Sequence, residues 1–287
     1  MFAFVAKHRG IWPLTLLCET LGVSRSGFYG WLSRAPSDRA MRHEAMLAAT
    51  RQSFLDSDRT YGARRVWHDL LAAGIACGLH AVERLMRLNA LRARPGRRRL
   101  PADTGERPVT ELAANVLDRQ FEAPAPNRKW VADFTYLWTG EGWLYVAVVL
   151  DLYSRRVVGW SMSASMTAEL VMNALMMAVW CRGKPSEPLH HSDRGSQYTS
   201  EQCQRLMAEH GIVCSLSRSG NVWDNAAMVS VFSTLKTERT AGKVYRSRDA
   251  ARADVFDYIK QFYNPRRRHS TLGYVSPVDF EARMRLA

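Results

Sequence analysis

Residues 130–150 read WVADFTYLWTGEGWLYVAVVL, and this stretch decides the fold. Trp130–Leu137 is rich in aromatic and β-branched residues at a spacing of two, which predicts a strand. Trp138–Gly142, with two glycines in five residues, predicts a turn. Trp143–Leu150 is almost continuously apolar, so it predicts a strand buried on both faces. Working outward, Arg156–Met162 predicts a third strand. Ala168–Cys181 then predicts a long apolar helix, Leu189–Ser192 a short strand and Ser200–His210 a helix. Ile212–Ser217 predicts a strand, Asn225–Arg239 a helix and Ser247–Tyr263 another. Three consecutive strands followed by alternating helices and short strands predict a mixed α/β sheet with helices on its faces.

Upstream the period is helical. Leu14, Leu17, Leu21 and Val23 recur on one face, Gly22 interrupts, and Ser24 can cap a second helix running to Trp31–Leu32. Helix, glycine turn, helix is the helix-turn-helix pattern. Arg25 would stand at the DNA-reading end of its second helix; a plain helical hairpin fits the same residues. Glu44–Leu55, Tyr61–Leu71 and Leu79–Leu91 predict three further helices. Arg64 and Arg65 suit phosphate contact or a solvated face. Arg92, Arg94, Arg97, Arg98 and Arg99 fall within eight residues around Pro95 and Gly96, a run suited to a phosphate backbone. These features divide the chain into 1–36, 37–100, a linker at 101–123 and a core at 124–287.

The 287 residues carry 40 basic and 27 acidic side chains, a net charge of +13 that points to a polyanionic partner, with nucleic acid first. Residues 1–107 hold +9 of it, which makes the front third the stronger candidate binder. No apolar stretch approaches the roughly 20 residues of a membrane span. Lys7, His8 and Arg9 interrupt the start where a signal peptide would stay apolar. Five scattered cysteines argue against a disulfide framework and for a reducing cytoplasm. His190, His191, Cys203 and Cys214 are poorly spaced for zinc, and a core role for the cysteines is the better reading.

Two aspartates carry the chemistry. Asp133 sits inside a strand, where a buried carboxylate costs free energy unless it is paired or binds metal. Asp193 ends LHHS and opens DRGSQY, a place where aspartates often serve only as caps. Two carboxylates from separate strands suit Mg²⁺, and a pair of such ions supports phosphodiester attack.

With these residues in view, the chain resembles a known family. The segments W130-x-x-D133-x-T-Y, E141-G-W-L-Y-V-A-V-V-L-D-L-Y-S-R-R-V-V-G-W160, H191-S-D-R-G-S-Q-Y198, W223-D-N-A226, L235-K-T-E238 and Y263-N-P-R-R-R-H-S-T-L-G-Y274 are similar to the catalytic protein of the insertion sequence three family of bacterial transposases. The resemblance covers nearly the whole chain. It implies a ribonuclease H-like integrase core of the DDE recombinase type, preceded by all-α helix-turn-helix segments. It implies cleavage and strand transfer of DNA, with Asp133 and Asp193 as ligands of Mg²⁺ or Mn²⁺ and two ions expected in an intact family site. It also implies a homo-oligomer on the element's terminal repeats and target DNA, a companion protein from the first reading frame, and a bacterial cytoplasm in contact with the nucleoid. Asn225, Lys236, Arg266, Arg267 and Arg268 become candidate DNA contacts. For Asn225 the alternative is orientation of the helix; for the cations it is a solvated surface.

One departure is informative. The family's third carboxylate is a glutamate within a segment like D-N-A-x-x-E-S-F-F. Here D224-N-A-A-M-V-S-V-F232 places Val229 at that position, with 35 residues between it and Asp193, and Val231 where a phenylalanine is expected. On a helix, residue 229 shares its face with Asn225, Ala226, Phe232, Ser233 and Lys236, none of them acidic. Glu238 falls on the opposite side. Asp224 is placed to cap the helix, and a register pairing Asp133 with Ala147 leaves Asp151 about 13 Å along its strand. The sequence therefore predicts a transposase impaired in cleavage, or a DNA-binding relic or regulator without catalysis.

Overall fold

The computed structural model describes residues 1–35, 37–94, 113–218 and 222–286. Its backbone contacts divide the chain into two compact units, 1–51 and 52–287.

The first unit holds α1 (Phe2–His8), α2 (Leu14–Thr20), α3 (Arg25–Leu32) and the beginning of α4 (Asp38–Asp56). Ser24 caps α3, accepting from the Gly27 amide at 3.0 Å. Val5, Cys18 and Phe28 form a small core with Leu14, Leu17, Leu21 and Val23 against it. The helical periodicity of 14–32 therefore corresponds to α2 and α3. The sequence reading did not include α1, which contributes Val5 to that core.

The second unit begins with the rest of α4, then α5 (Ala63–Ala72) and α6 (Leu79–Leu88). Tyr61 and Gly62 precede α5, with Gly62 as its N-cap. Five strands follow: β1 (Lys129–Thr139), β2 (Gly142–Asp151), β3 (Val157–Ser163), β4 (Leu189–Ser192) and β5 (Val213–Leu216). Among the described residues they make one sheet in the order β3-β2-β1-β4-β5. β1–β3 are antiparallel, and β4 and β5 run parallel to β1. The crossovers are α7 (Ala168–Cys181) and α8 (Glu201–Glu209). This is the ribonuclease H-like arrangement that the resemblance implied.

Alternation sends successive strand residues to opposite faces. Trp130, Ala132, Ala147 and Val149 pack with α7 on one face. Val131, Val146, Val148 and Leu150 pack on the other with α9 (Ala226–Leu235) and α10 (Arg248–Asp257). β2 is covered on both sides, which is why it reads as an unbroken apolar run. α7 approaches β3 so closely that a Cβ on Gly159 would lie 2.1 Å from the Ala174 carbonyl oxygen.

The β1–β2 turn sets the register. Thr139 Oγ1 donates to the Gly142 carbonyl at 2.7 Å and accepts from the Glu141 amide at 3.2 Å, while Gly142 adopts φ 102°. Thr139 thereby pairs with Gly142, and Asp133 faces Val148, one residue from the expected Ala147. Two of the expected helices are also subdivided. Residues 222–240 form a 3₁₀ turn (Val222–Asn225), α9 and a π-helical turn (Lys236–Thr240). Residues 248–263 form α10 and a second π-helical turn (Tyr258–Tyr263), and α11 (Pro277–Leu286), not expected from the sequence, follows.

Candidate active site

The parallel β1–β4 pairing matches Trp130 with His190 and Val131 with His191. Asp193 follows directly on β4, close enough for its charge to act on Asp133 of β1. Asp193 stands just past the end of β4, where its Oδ1 accepts from the Gly195 amide at 3.0 Å. Asp133 Oδ1 accepts from the Phe134 amide at 2.8 Å. Burial and the neighbouring Asp193 charge push the Asp133 carboxyl up to about 7, against the opposing pull of the Phe134 amide and Lys236. Two carboxylates held together in partial burial fit a divalent cation, which would replace their mutual repulsion by attraction.

The helix that should complete the site lies across them. Asn225 Nδ2 donates to the Ala132 carbonyl at 3.3 Å, and the Lys236 charge acts on Asp133. Val229 stands in α9, between these two positions in the chain. It is half-buried and offers only methyl groups. Among the described residues no group of three or more His, Cys, Asp or Glu side chains is placed to hold a metal. Asp133 and Asp193 are the residues here whose oxygens would suit a divalent cation.

Each carboxylate that might substitute is held elsewhere. Asp151 accepts from the Asn127 and Tyr153 amides and from Arg182. Glu238 accepts from Arg65, Arg267 and Tyr258. Asp224 does not cap α9, as its position suggested. It accepts from the Arg218 amide and from the Arg218, Arg119 and Asn115 side chains, closing the chain between β5 and α9. Burial opposes ionisation of Asp224, but the bonds from Arg218 and Arg119 bring its carboxyl down to about 2.

The expected DNA contacts fall into three groups. Arg25 at the start of α3, Arg64 on α5 and Arg266 are exposed. Lys236 lies 5.2 Å from the centre of the Tyr136 ring. Asn225, 5 % exposed, faces the sheet through its bond to the Ala132 carbonyl. The third group is engaged within the protein. Arg267 is 7 % exposed and grips Glu238 with two nitrogens, at 2.7 and 2.8 Å. Arg65 shares that carboxylate at 3.1 Å, and Arg268 holds Asp69 at 2.5 Å. A guanidinium buried on a carboxylate is not presented to a phosphate, so the structure makes Arg267 scaffold, not surface. Arg97, Arg98 and Arg99 lie outside the described residues.

His190 and His191 are buried in β4 and held near 4, chiefly by burial. His191 Nδ1 meets Ser215 Oγ at 2.8 Å. Sequence reasoning missed the Asp151–Arg182–Glu281 network and Arg218 as the partner of Asp224. The network joins residues 31 and 99 positions apart, and Arg218, only six residues before Asp224, carries no local pattern that marks the pairing.

Comparison with known proteins agrees along the length of the chain. The integrase core domain family matches residues 123–222 and, in a second form, 229–285, and the HTH-like domain family matches 42–99. The transposase InsF for insertion sequence IS3A of Escherichia coli (strain K12) is 40% identical over 284 residues, 98% of each chain. An uncharacterized 31 kDa protein of insertion element IS600 from Shigella sonnei is 39% identical, covering 92% of this chain and 97% of its own. Among solved structures, the BIV integrase catalytic core domain is 17% identical with a TM-score of 0.41, over 56% of this chain and 97% of that one.

Proposed function

The chain belongs to the IS3 family of transposases, and from that premise we propose that it binds the DNA ends of its element while cleaving them weakly or not at all. The observation that carries the reading is the valine at position 229 of α9, with Asp151, Asp224 and Glu238 all engaged elsewhere. Asp133 and Asp193 would hold a single Mg²⁺ or Mn²⁺. Such ions activate the attacking hydroxyl and stabilise the leaving oxygen in phosphodiester transfer. Residues 124–287 are the catalytic portion in this reading. Residues 1–36 and 37–100 hold DNA ahead of it, joined by a linker at 101–123. The assembly would be a homo-oligomer on the terminal repeats and target DNA, with a first-frame companion protein as a further partner.

The missing ligand is worth about 3–5 kcal/mol of transition-state stabilisation, a slowing of roughly 10²–10⁴-fold. Cleavage of the element's own ends with Mg²⁺ or Mn²⁺ is the test. This chain should bind the ends and barely cut them, Val229→Glu should restore cutting, and adding Asp193→Asn should abolish it again. Robust cutting by the unmodified chain would sink the proposal. End binding with no cutting even by Val229→Glu would favour the second reading, a DNA-binding relic or regulator; the engagement of every alternative carboxylate supports it.

A further inference from the structure

A cavity of about 430 Å³ opens beside α9, on the side of Ser230 and Thr234, and is closed by Arg155, Arg267, His269 and Arg65. That volume lies within the range of small-ligand sites. Its charge is unbalanced. Arg65 and Arg267 share the one carboxylate of Glu238. Arg155 donates only to the Phe121 carbonyl, at a long 3.5 Å, and among the described residues no carboxylate pairs with it. With Arg65 and Arg267 held on Glu238, Arg155 is the cavity's cation left without a carboxylate, at a half-enclosed site lined with hydroxyls where a lone cation is costly unless an anion joins it.

We propose that this cavity is a phosphate-binding site, with Arg155 as its principal ligand and the hydroxyls of Ser230 and Thr234 completing the hydrogen bonding. Guanidinium forks match the paired oxygens of a phosphate. His269, on the cavity wall, is held near 2 by burial and by Arg267, Arg65 and Arg155, so it stays neutral, with Arg267 Nη1 3.3 Å from its ring nitrogens. Arg155 adopts φ 56° in the turn between β2 and β3, an unusual conformation for a long side chain. Val231, where the family resemblance places a phenylalanine, also lines the cavity, and its small side chain leaves the space open. The phosphate belongs either to a DNA backbone or to a free phosphate compound, and the chemistry of recognition is the same.

The test is calorimetric titration of the full chain with inorganic phosphate, beside a salt series of binding to a duplex carrying the element's end. Phosphate should saturate one site. Arg155→Gln should weaken it at least tenfold, and so should Val231→Phe, which removes no charge and fills the space. If the occupant is a DNA backbone phosphate, both variants should also make the slope of log affinity against log salt shallower by about one. Lost phosphate binding with an unchanged slope would assign the site to a free phosphate compound. No phosphate binding by the unmodified chain, or equal binding by the unmodified chain and both variants, would overturn the proposal. The phosphate arm needs no DNA, so failure to bind the element's ends would refute the function proposed above without touching this inference.

Discussion

Asp133 shows how much one strand residue can disclose. A carboxylate in a run of apolar and aromatic residues is a local anomaly, and it marked the site before any packing was visible. Its partner was less legible, because Asp193 at a strand end looks like any cap; only in the folded chain does its charge act on Asp133. The pairing has a pH signature. The folded carboxyl titrates at about 7 against an ordinary 3.8, raised first by burial and then by Asp193. The unfolded chain therefore ionises first as pH rises, so stability from this group is fully present below about 4 and is lost as pH climbs through 7. Without divalent metal, Asp133→Asn should be more stable than the parent at pH 8 by about 1–3 kcal/mol, after allowing for solvent screening. The advantage should shrink steadily towards pH 5. Urea unfolding at both pH values measures it, and an advantage that does not depend on pH would mean that the carboxyl is not strained.

At the scale of elements, strands and crossover helices were readable wherever burial is regular. β4 matches its expected bounds, and so does α7, whose fourteen residues are apolar enough to pack against the sheet. The misreadings lie where a side chain answers a distant partner. Asp224 was expected to cap a helix, but four donors from residues 115, 119 and 218 claim it and tie the segment before β1 to the loop before α9. Part of the expected linker, Val116 and Leu117, donates its amides to Ser215 Oγ, with Leu117 buried in the core. A spacer by composition is thus, in its last stretch, a packed strap across β5. The clasp should set acid sensitivity. With the folded carboxyl near 2 and the unfolded one near 3.8, its contribution is present above about pH 4 and disappears as pH falls towards 2. Asp224→Asn should lower stability by about 1–3 kcal/mol at pH 7, because the donors keep an acceptor but lose its charge. The gap between variant and parent should close between pH 4 and 2. Thermal unfolding across that window checks it; a gap that persists at pH 2 would assign the loss to packing.

For the whole molecule, the charge arithmetic anticipated a basic front segment but not how its second part is anchored. The sequence predicts that residues 37–100 form a second helical DNA-binding segment, with no indication of how it is attached. The structure joins 52–94 to the core in one compact unit. Tyr61 hydroxyl donates to the Arg266 carbonyl and accepts from the Arg268 amide, both at 3.0 Å, and His68 stacks on Tyr274 at 4.3 Å. Glu238 is central to this attachment. Its carboxylate takes Arg65 from α5 and Arg267 from the core, while its carbonyl accepts from Arg94 at 2.8 Å. Residues 65 and 238 are separated by 173 positions, so no sequence pattern could couple them. Burial alone would raise the Glu238 carboxyl, but the two guanidinium groups hold it below its ordinary value. Glu238→Gln keeps the shape and removes the charge, leaving the buried Arg267 without a carboxylate. Breaking one side of a buried ion pair costs about 3–5 kcal/mol. The loss should be directional: amide exchange in α5 and α6 should accelerate well before exchange in β1 and β2, because the sheet core does not depend on Glu238. Arg65→Ala, which removes only the α5 side and spares the Arg267 pair, should accelerate the same helices with a smaller loss of global stability. Exchange that rises uniformly in both variants would mean that Glu238 stabilises the core alone and that the helices are held by their apolar contacts.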